Sequence, residues 1–111
     1  MIRAEFTRAE DSLRLRINGH ADRDVQDSKI VCAAVSGIFY ALCGYLKNVK
    51  NKGLIINSIA PGRGDVICSF SGEEAMKLTC IGLLQIMMSY PYHITVKNSA
   101  FDCWECDQNC P

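Results

Sequence analysis

Two short runs near the start of the chain alternate apolar and polar residues with period two. Ile2, Ala4 and Phe6 alternate with Arg3, Glu5 and Thr7, and Leu13, Leu15 and Ile17 alternate with Arg14, Arg16 and Asn18. Glu10-Asp11 between them supplies a turn, so the pattern predicts a β-hairpin over residues 2–8 and 12–18. Its second face carries charge. Such a sheet buries one side only, and the chain must supply a covering layer from elsewhere.

That layer is legible downstream. Residues 21–28 form a polar loop containing Asp22, Arg23, Asp24, Gln26 and Asp27. Asp27 or Ser28 is placed to cap a helix running to about residue 49, with Val31, Ala34, Val35, Ile38, Leu42, Tyr45, Leu46 and Val49 at helical spacing. A second hairpin is predicted over residues 54–59 and 65–70, around Pro61-Gly62-Arg63-Gly64. A second helix should start at Gly72 or Glu73 and end at about residue 89. Glu73 and Glu74 suit its positive end, and Tyr90-Pro91 stops it. Residues 93–97 give a last short strand. The order ββαββαβ predicts an α+β fold: two layers, with two helices on one face of a mainly antiparallel five-stranded sheet. The domain is expected over residues 1–98, with residues 99–111 as a cysteine-rich tail.

The second helix is apolar around much of its circumference, through Ala75, Met76, Leu78, Cys80, Ile81, Leu83, Leu84, Ile86, Met87 and Met88. One sheet face cannot cover all of it, so a homodimer is expected. Twelve basic and twelve acidic residues cancel. Such a chain has no net field to gather nucleic acid or an anionic membrane, and neither is expected as a direct partner. The N-terminus lacks the pattern of a signal peptide, and the apolar run at residues 78–88 is too short to span a bilayer. Seven cysteines without a secretion signal point to reduced thiols and a cytoplasmic location. Cys43, Cys68 and Cys80 sit in apolar runs, where cysteine behaves as a small hydrophobe.

Cys32 is different, because it follows closely on the predicted helix start. His20 precedes it by twelve residues, at the end of the second strand. A thiol in the first helical turn gains from the positive end of the helix, and an imidazole can take its proton. The pair therefore predicts a cysteine hydrolase dyad: thiolate attack on a carbonyl, protonation of the leaving amine by imidazolium, and first-turn N–H groups at the oxyanion. A structural histidine at a strand end and a buried cysteine on a helix face would share the same spacing.

Gly19-His20-Ala21, the gap, and Val31-Cys32-Ala33-Ala34-Val35-Ser36 resemble the signature of the Prp family of ribosomal-processing cysteine proteases. The resemblance covers residues 1 to about 97. It implies a bacterial, cytosolic, dimeric endopeptidase. Such an enzyme removes a short N-terminal extension from a large-subunit ribosomal protein, cutting after an aromatic residue and before a small one. His20 matches the family's histidine, Cys32 its nucleophile, and Ser36 its serine one helical turn further on. Asp27 and Ala33 are the other supporting candidates. Two departures stand out. Lys29 occupies the family's usual aspartate position, leaving Asp27, Asp24 and Asp22 as the nearest acids, and residues 21–31 lack the family's loop glycine. A non-catalytic, ribosome-associated binding module on the same fold is the alternative.

Cys103, Cys106 and Cys110 lie beyond the resemblance. Three clustered thiols fall short of the four ligands of a structural zinc site unless a residue such as His93 joins them. A redox pair and a loosely ordered end are the other readings, and no metal or cofactor is assigned.

Overall fold

The computed structural model describes residues 1–21 and 26–102. The elements follow the expected order: β1 (Ile2–Arg8), β2 (Leu13–Asn18), α1 (Ser28–Asn48), β3 (Ile55–Ala60), β4 (Arg63–Cys68), α2 (Glu73–Ser89) and β5 (Ile94–Asn98). The five strands form one open sheet in the order β3-β4-β2-β1-β5. Its pairs are antiparallel except β1 with β5, which run parallel, Ile2 opposite Ile94. The parallel pair follows from connectivity. α2 carries the chain back over the sheet before β5 begins, as a crossover requires.

Both helices lie on one face. The inward residues Ile2, Ala4, Phe6, Leu13, Leu15, Ile17, Val66, Cys68 and Ile94 are buried together with Val31, Val35, Phe39, Leu42, Leu46, Met76, Cys80 and Leu83. Phe6, on a central strand, is wholly enclosed, worth about 1.5–3 kcal/mol of apolar burial. The other face carries Arg3, Glu5, Arg16 and Lys97 in solvent. By length and composition α1, not residues 78–88, is the described helix apolar enough to cross a bilayer. Its Val31, Val35, Phe39, Leu42, Cys43 and Leu46 are buried, as in the core helix of a packed domain.

Several boundaries differ from the sequence expectation. The second hairpin closes through a two-residue turn, Pro61-Gly62, with Gly62 at φ 75°. Proline followed by a positive-φ glycine is the combination of a tight type II turn, so Arg63 and Gly64 belong to β4 instead of the loop. β4 also ends early, at Cys68. There the Asn51 side-chain oxygen accepts the backbone N–H of Ser69 (3.0 Å) and of Gly53 (3.1 Å), and a 3₁₀ turn, Phe70–Gly72, leads into α2. The buried stripe of α1 includes Phe39, while Tyr45 and Val49 are about half exposed. Gly64 explains Phe39: a Cβ built on that glycine would stand 2.8 Å from the Phe39 ring, so the ring fills the space a side chain would need. Beyond β5, Ser99 N–H bonds to the Phe6 carbonyl (3.0 Å) and Arg8 Nε to the Ala100 carbonyl (2.7 Å), which holds residues 99 and 100 against β1. Cys103, Cys106 and Cys110 lie outside the described residues.

Candidate active site

β2 ends at Asn18, and Gly19 turns the chain with φ 98°. Its N–H donates to the Gly62 carbonyl (2.8 Å), joining the end of β2 to the β3–β4 turn. A Cβ on Gly19 would collide with the Met1 carbonyl oxygen, so only glycine fits this crossing of strand ends. His20 follows at once. Its ring lies against Gly62, where a built Cβ would fall 2.7 Å from Cε1, 3.0 Å from Cδ2 and closer still to Nε2.

The facing wall is α1. Cys32, Ser36 and Tyr40 recur every four residues and so share one helix face. They join His20 in a cleft of about 220 Å³. Ile2, Ile17, Val35 and Phe39 make it largely apolar, and Ile59, Pro61, Gly62 and Arg63 contribute from the hairpin. Cys32 is a free, half-buried thiol. Cys43, Cys68 and Cys80 are buried. Burial pushes the Cys43 thiol up and the Cys68 thiol up to about 11. Of the four, Cys32 alone opens to a cleft. The His20 ring and the Cys32 thiol line this same cleft.

His20, Cys32 and Ser36 thus meet, whereas Asp27 and Ala33 are exposed and outside the cleft lining. Asp27 stands at the N-cap position of α1 with φ 71° and makes no side-chain capping bond. Its carbonyl accepts the N–H of Val31 (3.0 Å) in the first helical bond. One expectation is corrected here. Cys32 is the fifth residue of α1, one position past Val31, whose N–H already makes the first helical bond. The first-turn N–H groups belong to the stretch just before the thiol, toward which a helical side chain tilts. Asp22 and Asp24 lie outside the described residues.

His93 is buried beside the approach to α1. It is 3% exposed, and its Nε2 pairs with the Gln26 carbonyl (2.9 Å). A carbonyl only accepts, so Nε2 carries the proton. Nδ1 is buried without a partner among the described residues. The ring ties the approach to α1 onto the start of β5. Among the described residues no group of three or more metal-ligating side chains converges.

The sequence reading missed Gly62, Phe39, Tyr40 and Ile59 as cleft residues. Glycine at a turn advertises only its turn. Nothing local reveals that two rings, His20 and Phe39, rest on two glycines of one hairpin.

The sequence profile of the cysteine protease Prp family matches residues 1–95. No curated protein sequence matches the chain. Among solved structures, the ribosomal processing protease Prp from S. aureus with a substrate peptide is similar at TM-score 0.75 and 17% identity, covering 89% of this chain and 100% of that one. The same enzyme with a covalently linked product peptide gives TM-score 0.72 and 18% identity, with the same coverage. SMU.848 from Streptococcus mutans gives TM-score 0.65 and 22% identity over 91% of this chain and 99% of that one. At such identities the likeness is one of fold. The family profile spans most of the sequence, including the His20 and Cys32 segments, and this chain belongs to the cysteine protease Prp family.

Proposed function

We propose that this protein is a cysteine endopeptidase that removes a short N-terminal extension from a bacterial large-subunit ribosomal protein, with Cys32 as nucleophile and His20 as general base and acid. One observation carries the reading. The only cysteine opening to a cleft, among the described cysteines, shares that cleft with its only histidine and a largely apolar lining. Membership of the Prp family supports it, and so does the S. aureus neighbour, a ribosomal processing protease solved with a substrate peptide.

The chemistry divides into two halves. His20 takes the Cys32 proton, and Sγ attacks the scissile carbonyl carbon. The tetrahedral intermediate collapses, the C–N bond breaks, and the imidazolium protonates the leaving amine. His20 then draws a proton from water, whose oxygen attacks the thioester. The acid product leaves, and the Cys32 thiol is restored. Catalytic hydrogen bonds tighten in the substrate complex, so the role needs only that His20 and Cys32 share one cleft, as they do. Ile2, Ile17, Val35 and Phe39 offer an apolar seat for an aromatic residue before the cut. Ser36, one turn from Cys32, faces the same space and supports the substrate. Asp27 and Ala33, outside the cleft, receive no step.

A homodimer and a cytoplasmic location complete the proposal. Leu78 is 72% exposed beside a groove between the helices lined by Ile38, Ala41, Tyr45 and Ala75, and this surface is the one we assign to a second copy.

The test is cleavage of the source organism's own ribosomal protein carrying its N-terminal extension, read by intact mass. The expected result is one cut after an aromatic residue. Cys32→Ala and His20→Ala, folded by circular dichroism, should each lose at least about 10³-fold in rate. Cleavage by Cys32→Ala removes the nucleophile assignment. Tight binding without cleavage by the wild-type protein would favour the binding-module alternative.

A further inference from the structure

His20 reaches solvent, so the hydrophobic core does not fix its ring. Among the described residues, two contacts at one residue of the opposite hairpin place it. The Gly62 carbonyl accepts the Gly19 N–H at 2.8 Å, which pins the backbone immediately before the histidine. The Cα of the same residue presents a bare face to the imidazole, and a Cβ there would lie 2.7 Å from Cε1 and closer to Nε2. Real Cβ atoms do not approach ring atoms so closely, so any side chain at 62 would displace the ring. Pro61 and the positive φ of Gly62 fix the turn that holds this face in place.

From these two contacts we infer that Gly62 is a positioning residue for catalysis, whose absent side chain lets the His20 imidazole rest on the turn facing Cys32. The inference rests on the reading of His20 as the general base. Gly62 touches no reacting atom. It acts through the orientation of the ring that exchanges the proton with Cys32.

Gly62 has two properties that one substitution confounds: a positive φ and an empty Cβ position. Two variants separate them. Alanine carries a Cβ and is strained at positive φ. Asparagine carries the same Cβ but tolerates the left-handed region far better. If the imidazole contact matters, Gly62→Ala and Gly62→Asn should both lose kcat by about 10- to 100-fold, the scale of an ångström-sized misplacement of a catalytic group. The loss should fall mainly on kcat, because Ile2, Ile17, Val35 and Phe39, the substrate's apolar seat, are unchanged. The Asn variant should melt close to wild type. In the wild-type protein a nuclear Overhauser contact should join Gly62 Hα to the His20 ring protons.

Wild-type kcat in the Asn variant would overturn the inference, and backbone strain would then explain any loss in the Ala variant. A loss carried by KM, or absence of the Overhauser contact, would also overturn it. The same assay run on His20→Ala and Cys32→Ala keeps the two ideas apart. Full activity in those variants removes the catalytic reading itself. Their inactivity beside an active Gly62→Asn removes only the role of Gly62.

Discussion

The His20 imidazole occupies the space that a side chain at Gly62 would fill, with a built Cβ only 2.7 Å from its Cε1. Two residues further along β4, Gly64 gives up the same space to Phe39, at 2.8 Å. One hairpin therefore supports the His20 ring that lines the cleft and the Phe39 ring that anchors α1, and it does so by lacking side chains. α1 in turn carries Cys32. The proposed nucleophile and base come from different elements, yet both meet one six-residue strand and its turn.

The thiols should differ sharply in reactivity. Burial holds the Cys68 thiol at about 11, so at pH 8 only about one molecule in 10³ carries the reactive thiolate there. Cys43 is likewise pushed up by burial, and Cys80 is fully enclosed. With Cys103, Cys106 and Cys110 changed to serine, iodoacetamide should label Cys32 first, as read by peptide mass spectrometry. Modification of Cys43 or Cys80 ahead of Cys32 would contradict the structure.

Gly19→Ala should destabilise the domain. It forces a side chain into φ 98° and drives the new Cβ onto the Met1 carbonyl. Left-handed strain together with the clash should cost about 2 kcal/mol or more, a fall in Tm of roughly 10 °C. Scanning calorimetry decides it, and an unchanged Tm would refute the crowding at this strand crossing.

The outer face of the sheet has one bidentate ion pair. Arg14 Nε donates to Asp65 Oδ1 (2.9 Å) and Arg14 Nη2 to Oδ2 (2.6 Å). The hydrogen bond from Arg14 is the main cause holding the Asp65 carboxyl below its usual value, with Asn57 adding a weaker bond. A carboxyl depressed in the folded state stabilises the protein above its unfolded pKa of about 3.9, and that stability is lost as pH falls through the folded value. Arg14 is more than a third exposed, so solvent screening limits the contribution to about 1 kcal/mol or less. Asp65→Asn should thus lower Tm at pH 7 by a few degrees, and the gap to wild type should close between about pH 4 and pH 2. A gap independent of pH would exclude the ion pair as its cause.

If the groove beside Leu78 seats a second copy, sedimentation at micromolar concentration should give twice the mass of the 111-residue chain. Leu78→Glu, a change at an exposed position, should then yield a folded monomer. Dimers that survive this change would place the interface elsewhere.

Alternation at Ile2-Ala4-Phe6 and Leu13-Leu15-Ile17, and helical spacing along α1 and α2, are local properties of the chain. They were enough to set the number, order and inward faces of the elements, and the buried state of Cys43, Cys68 and Cys80. His20 and Cys32 were legible too, because a strand end and a helix start carry sequence marks and the twelve residues between them suffice to join the two elements. The three 3₁₀ residues before α2, the extension of β4 to Arg63, and the place of Phe39 in the core were not. Each depends on a partner distant in sequence: Asn51 for Ser69, Gly62 for Gly19, Gly64 for Phe39. The same division holds at the cleft. Sequence by itself named a thiol and an imidazole and set them on different elements, because periodicity records how each segment meets water and core. Only the tertiary structure decided that the imidazole lies on a bare glycine, that Cys32 sits beyond the free N–H groups of its helix, and that His93 turns inward to Gln26. Those outcomes come from non-bonded contacts between segments, which leave no period in the sequence.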